Sequence, residues 1–128
     1  MKKNILIIDD DIDTLDLTSD FLSSEGYNVY TALSGIQMFE CLRNSKSIDV
    51  ILLDIMMDWI NGLDLCKAVK SSDEFKHIPI IIISARNSED DIELAYSFGA
   101  TDYLPKPFEL AKLRSKLNYY LNFDPVNK

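Results

Sequence analysis

A chain of 128 residues, 47% hydrophobic and 27% charged, suits one soluble globular domain with one core. Lys and Arg number 13 against 21 Asp and Glu, a formal net charge of −8, which argues against nucleic acid and anionic lipid as direct partners. No apolar run approaches the ~18 residues of a membrane span, so the expected location is the cytoplasm.

Met1-Lys2-Lys3 is basic, but the apolar stretch behind it is too short for a signal peptide. That stretch, Ile5–Ile8, reads as a first strand and runs into Asp9-Asp10-Asp11. Ile12, Leu15, Ser19 and Leu22 then mark one face of a first helix, with Asp11 and Asp13 at its start and Gly26 at its stop. Asn28–Ala32 is a weaker strand and fits a sheet edge. Ser34 can cap a second helix carrying Ile36, Phe39 and Leu42.

Val50–Leu53 is a continuous apolar run of the kind found in strands covered on both faces, and it ends at Asp54. Leu63, Cys66 and Val69 suit a third helix. Ile80–Ile83 ends at Ser84. Ser88 opens a fourth helix carrying Ile92, Ala95 and Tyr96, with Gly99 just beyond it. Asp102–Leu104 is a short last strand followed by Pro105 and Lys106. Leu110, Leu113, Leu117, Tyr120 and Leu121 keep helical spacing in a fifth helix. Strands alternating with amphipathic segments imply an α/β domain of (βα)5 type with a parallel sheet, over residues 1–123, and residues 124–128 read as a tail. Cys41 and Cys66 lack metal-ligand spacing and read as reduced thiols on helices.

In a parallel sheet all strand ends share one edge, and open α/β sheets bind ligands there. That edge would gather Asp9, Asp10, Asp54, Ser84 and Lys106. Two unit charges about 4 Å apart repel by ~4 kcal/mol at an effective dielectric of 20, so the carboxylates need a proton or a cation. Oxygen ligands without His or Cys favour a hard ion, Mg²⁺ with Mn²⁺ as the alternative. Asp54, alone at the end of the central-looking strand, is the candidate nucleophile toward phosphorus, while Asp9 and Asp10 are paired as metal ligands would be. Lys106 and Ser84 would meet phosphoryl oxygens. Any single Asp after a strand is more often a turn residue or a helix cap. Four strand ends with complementary chemistry outweigh that reading.

The segments Ile5-Leu-Ile-Ile-Asp-Asp-Asp11, Asp49-Val-Ile-Leu-Leu-Asp-Ile-Met-Met57, Ile81-Ile-Ile-Ser-Ala85 and Gly99-Ala-Thr-Asp-Tyr-Leu-Pro-Lys-Pro-Phe108 carry a resemblance. The chain resembles, over nearly its whole length, a response-regulator receiver domain of two-component signalling, the CheY-like superfamily. The resemblance implies a doubly wound, flavodoxin-like sheet in the order 2-1-3-4-5. It implies that Asp54 accepts phosphate from a phosphohistidine of a sensor histidine kinase or phosphotransfer protein. Asp9 and Asp10 would hold Mg²⁺, joined by Asp54 and the backbone carbonyl of Met56. Ser84 and Lys106 would bind phosphoryl oxygens, and Tyr103 would swing inward as Ser84 moves toward the phosphate. Lys106-Pro107 would be a cis peptide.

Met56 and Arg86 occupy the family's two positions that tune phosphoryl lifetime, and apolar Met56 is expected to hinder attacking water. Asp58 stands where receivers usually carry Pro. A carboxylate there either alters phosphoryl and metal affinity or is a solvated loop residue.

A phosphoryl group adds about −1.5 to −2 charge and matters only if it biases a two-state element. The expected output surface is the fourth helix, last strand and fifth helix, where Tyr96, Phe98, Tyr103, Tyr119 and Tyr120 gather. It would face a downstream protein or form a phosphorylation-dependent homodimer. No DNA-binding or enzymatic output is expected within these 128 residues, and both a stand-alone receiver and a piece of a longer regulator stay open. The chain is expected not to be an enzyme beyond its own phosphorylation and dephosphorylation.

Three other readings fit the residues less well. A haloacid-dehalogenase-like phosphatase would need Thr where Asp13 stands. A Ca²⁺ loop would need Gly where Thr14 stands. A receiver-like interaction module without phosphorylation sits poorly with the intact set Asp10, Asp54, Ser84 and Lys106. His77, before Ile78-Pro79, reads as a surface loop residue rather than a relay group. No glycine lies in a phosphate-loop frame, so phosphate would come from a donor other than ATP bound here.

Overall fold

The computed structural model describes residues 2–44, 47–55 and 58–122. Among them β1 (Asn4–Ile8), α1 (Ile12–Ser24), β2 (Asn28–Ala32), α2 (Gly35–Asn44), β3 (Val50–Ile55), α3 (Trp59–Lys70), β4 (Ile80–Ser84), α4 (Glu89–Ser97), β5 (Asp102–Pro105) and α5 (Leu110–Asn122) alternate along the chain. All strand pairs are parallel, and the sheet order is β2-β1-β3-β4-β5. The expected architecture and order are those observed, with β2 on an edge and β3 in the centre.

Successive strand residues point to opposite faces, and each face has its own core. Leu6, Ile8, Ile51, Leu53, Ile80 and Ile82 pack with Met38, Leu63, Cys66, Val69 and Ala95 of α2, α3 and α4. Ile5, Ile7, Val50, Leu52, Ile81 and Ile83 pack with Leu15, Leu22, Leu113 and Leu117 of α1 and α5. Covered on both sides, the strands read as unbroken apolar runs rather than alternating ones. The chain direction reverses at β1, which places a crevice between the ends of β1 and β3.

The helix faces differ in detail from those read in the sequence. Ile12 is 57% exposed, and Ile36 is 76% exposed while Met38 of α2 is buried instead. Tyr96 and Leu110 are also exposed. Ile12 and Leu110 open their helices over the rim, where there is no sheet beneath to cover them, and Ile36 lies on the helix flank away from Met38 and Leu42. The punctuation is as expected. The Asp11 carboxylate accepts from the Asp13 backbone N–H and from Thr14 Oγ1. Ser34 Oγ accepts from Gln37 N, and Ser88 Oγ from Asp91 N. Gly99 follows α4 at φ 105°, where a Cβ would meet the Lys70 Cγ at 2.7 Å.

Cys66 is fully buried, and burial pushes its thiol up to about 11. No helix among the described residues is long and apolar enough to cross a membrane.

Candidate functional site

Each candidate residue sits where a strand runs out at the same edge of the sheet. Asp9 follows β1, and its backbone N–H donates to the Ala32 carbonyl at 3.1 Å, one step beyond the strand pairing. Its carboxylate accepts from Asp11 N at 3.0 Å and is 1% exposed. Asp54 is the fifth residue of β3, in register with Ile83 of β4. Ser84 ends β4 opposite Pro105 of β5 and is 2% exposed. The Lys106 N–H then donates to the Ser84 carbonyl at 2.8 Å, which carries the lysine over the rim. The Lys106-Pro107 peptide is cis.

At the centre, Lys106 Nζ donates to Asp54 Oδ1 at 2.7 Å. The Asp9 and Asp54 carboxyl groups are in hydrogen-bonding contact, and Asp10 is close enough to repel Asp54. Burial raises Asp9 to about 7, helped by the adjacent charge of Asp54 and opposed by the Asp11 backbone N–H. Asp54 is also raised by burial, and Lys106 pulls it part of the way back. Burial and the neighbouring Asp54 charge thus hold Asp9 toward its protonated form, while Lys106 draws Asp54 back toward the carboxylate that faces the ammonium.

A cavity of about 190 Å³ opens beside this pair, with Ile8, Asp10, Asp54, Ile55, Asp58 and Asn61 in its wall. Among the described residues no three His, Cys, Asp or Glu side chains stand close enough to hold a metal on their own. Mg²⁺ does not need three. It binds through one or two carboxylates and fills its shell with water and phosphate oxygens. Asp9, raised by burial and the charge of Asp54, and Asp54, raised by burial and the charge of Asp10, are a fitting donor set for a hard dication. Met56, expected to offer its carbonyl and to shield the phosphoryl group, lies outside the described residues, as do Met57 and the tail 124–128.

Asp58 lines the same cavity and is exposed at its rim. It occupies the position before α3 at φ 50°, in the left-handed region, and its side chain makes no cap to the helix backbone. Its carboxylate accepts instead from Asn61 Nδ2. Asn61 passed unnoticed in the sequence, where an i, i+3 pair across a loop and helix start has no signal of its own.

Ser84 and Tyr103 adjoin on the other side of the rim. Ser84 Oγ accepts from Arg86 N at 3.2 Å, and the hydroxyl lies beside the Tyr103 phenol. Tyr103 is 5% exposed and lies inward, with its hydroxyl donating to the Arg86 carbonyl. Trp59 packs edge-on to it, with centroids 6.3 Å apart. The Arg86 guanidinium covers the indole at 5.1 Å and pairs with Asp91 at 3.3 Å. Sequence reasoning singled out Arg86 for its place in the family pattern and missed that it meets Trp59, since 27 positions separate the two.

Of the aromatics expected on the output surface, Tyr119 and Tyr96 are exposed, Phe98 and Tyr120 are half-buried and Tyr103 is buried. His77 is exposed in the loop before β4, as expected.

Comparison with known proteins bears on this geometry. The sequence model of the response regulator receiver domain matches residues 5–118. The transcriptional regulatory protein CpxR of Escherichia coli K12 is 40% identical over 117 residues, which are 91% of this chain and 48% of that protein. The heme response regulator HssR of Staphylococcus epidermidis is 36% identical over 124 residues, 97% of this chain and 54% of that one. The chain thus spans about half the length of the curated relatives it matches.

Among solved structures, Vibrio cholerae chemotaxis protein CheY4 aligns with a TM-score of 0.85 at 29% identity, covering 94% of this chain and all (100%) of that one. The receiver domain of sensor histidine kinase PA1611 of Pseudomonas aeruginosa, solved with magnesium coordinated in its active-site cleft, aligns with a TM-score of 0.83 at 26% identity. That alignment covers 96% of this chain and 100% of that one. With the family match covering residues 5–118, this chain belongs to the receiver domains of two-component response regulators.

Proposed function

We propose that Asp54 is the phosphoacceptor of this receiver and that the phosphoryl donor is a phosphohistidine of a sensor histidine kinase or a phosphotransfer protein. An oxygen of the Asp54 carboxylate attacks phosphorus as the phosphorus–nitrogen bond to imidazole breaks, and an aspartyl phosphate results. The observation that carries the reading is the 2.7 Å contact of Lys106 Nζ with Asp54 Oδ1, beside a second carboxyl group that burial holds up to about 7. The ammonium is already aimed at the atom on which negative charge accumulates. Asp9, Asp10 and Asp54 are the groups that would hold Mg²⁺, or Mn²⁺ in its place, with the Met56 carbonyl as a further ligand. When bound, the cation neutralises the phosphoryl oxygens and spares the carboxylates their mutual repulsion. The Ser84 hydroxyl binds another phosphoryl oxygen, and Tyr103 follows Ser84.

In this reading residues 1–123 form the receiver and 124–128 a tail, working in the cytoplasm with no direct contact to nucleic acid or membrane. The domain is a signalling element and not an enzyme on separate substrates. Its output passes through α4, β5 and α5 to a downstream protein or to a second copy.

The test is phosphorylation in vitro. With Mg²⁺ and acetyl phosphate, intact-mass measurement is expected to find one phosphoryl group, lost in Asp54→Asn and in chelator. The indole of Trp59, the sole tryptophan, is expected to change its fluorescence on addition of Mg²⁺ and again on addition of donor. An Asp54→Asn protein that takes up the group as fast as the parent would overturn the assignment.

A further inference from the structure

Trp59 opens α3, directly after the left-handed residue Asp58. Its place is fixed from behind. The Gly62 N–H donates to the Asp58 carbonyl at 3.1 Å, and a Cβ on Gly62 would meet Ile55 Cδ1 at 2.6 Å. The first turn of α3 therefore lies hard against the end of β3, the strand that carries Asp54. The turn at Asp58 sends the following side chain inward, and the indole is 8% exposed, with its ring against Tyr103.

Three groups from three segments then close a ring. Tyr103 of β5 donates its hydroxyl to the Arg86 carbonyl after β4. The Arg86 guanidinium covers the Trp59 indole, held from the far side by Asp91 in the first turn of α4. Trp59 meets the Tyr103 ring edge-on, at an interplanar angle of 68°. All three contacts are made by the chain itself. Ser84 touches this ring through Arg86 N and the Tyr103 phenol but supplies none of its three links.

We propose that Trp59 is a positioning residue for Tyr103. With Arg86 it clamps the phenol ring in its buried place, and it couples the segment that follows Asp54 to β5 by a path separate from Ser84. This rests on the reading of Asp54 as phosphoacceptor only for what drives the path, not for the clamp itself. An edge-to-face ring pair and a cation over an indole are together of the order of a tenfold change in equilibrium constant. Removing the indole is therefore expected to lower the ratio of buried to exposed Tyr103 about tenfold.

The experiment incorporates 3-fluorotyrosine and follows the fluorine resonance of Tyr103, identified by its loss in Tyr103→Phe. The parent protein is expected to give one resonance insensitive to exchanging water for heavy water, as a buried ring does. In Trp59→Ala the resonance moves toward the solvent-exposed position, and Trp59→Phe restores most of the shift because a ring edge remains. Arg86→Ala, which leaves the core intact, moves it in the same direction by less. Acetyl phosphate with Mg²⁺ returns the Trp59→Ala resonance to the buried position.

An unmoved resonance in Trp59→Ala, or no recovery in Trp59→Phe, overturns the clamp. Should circular dichroism find Trp59→Ala unfolded, Arg86→Ala decides, and an unmoved resonance there overturns it equally. Intact mass on the same samples keeps the two readings apart. A parent protein that takes up no phosphoryl group refutes the role of Asp54, while the resting position of Tyr103 still judges Trp59.

Discussion

Asp9 and Asp54 continue the strand rows that face α1 and α5, whereas Ser84 and Tyr103 continue the rows that face α2, α3 and α4. The first side is a dense electrostatic contact of two carboxyl groups and an ammonium. The second is aromatic and hydrogen-bonded, with its one guanidinium turned outward over an indole. A two-residue period thus divides chemistry from its relay. Asp54 sits on one side of the sheet, and Ile55, next in the chain, packs beside Trp59 on the other. A change at the first side reaches the second within one residue.

Substitutions should separate the two sides. The largest effect is expected at Lys106→Met, which removes the ammonium paired with Asp54. Phosphoryl uptake from acetyl phosphate should slow by about a hundred- to a thousandfold, the usual loss for one preorganised charge donor, as followed by intact mass. Undiminished uptake would move the positive end of the site elsewhere.

Next is the pH dependence of stability in chelator. The folded chain holds Asp9 at about 7 against an ordinary 3.8, so between those values it keeps a proton that the unfolded chain has lost. Stability therefore falls as pH rises from about 4 through 7 and is level above. Urea unfolding at about pH 5.5 should require about 2 kcal/mol more than at about pH 8. Asp9→Asn should flatten that difference and Mg²⁺ should reduce it. Asp11, whose carboxyl is lowered by its bond from Thr14, acts only below this window.

On the relay side Tyr103→Phe deletes the hydrogen bond to the Arg86 carbonyl and keeps the ring. It should cost about 1 kcal/mol while phosphoryl uptake stays at the parent rate. A slowed uptake would mean the two sides are not separable. The smallest effect is expected at Asp91→Asn, which breaks a half-exposed pair with Arg86. Less than about 1 kcal/mol should be lost, by the same urea measurement.

The strands and their rim were legible because β-branched runs covered on both faces leave an unbroken apolar signature, and the polar residue ending each run marks the edge. Asp54, Ser84 and Lys106 are found that way as a set, since a single polar residue after a strand is more often a turn or a cap. Helix faces were less legible at their first turns. Ile12 fits the spacing but overhangs the rim, while in α2 the buried stripe runs through Met38 and Leu42, four residues apart, and leaves Ile36 on the opposite flank. The ring of Trp59, Arg86 and Tyr103 was not legible at all. It depends on a left-handed turn at Asp58, which Asp tolerates better than most residues but only occasionally adopts, and on three segments converging after the fold is complete.

The thiol of Cys66 offers a practical gauge. Held at about 11 with no exposed surface, it stays protonated and out of reach of alkylating reagents at neutral pH. Maleimide labelling at position 66, in a Cys41→Ser background, should then proceed only through molecules that have opened. The labelling rate becomes a clock for opening, readable with magnesium, with phosphodonor or with neither, and without adding any probe to the chain.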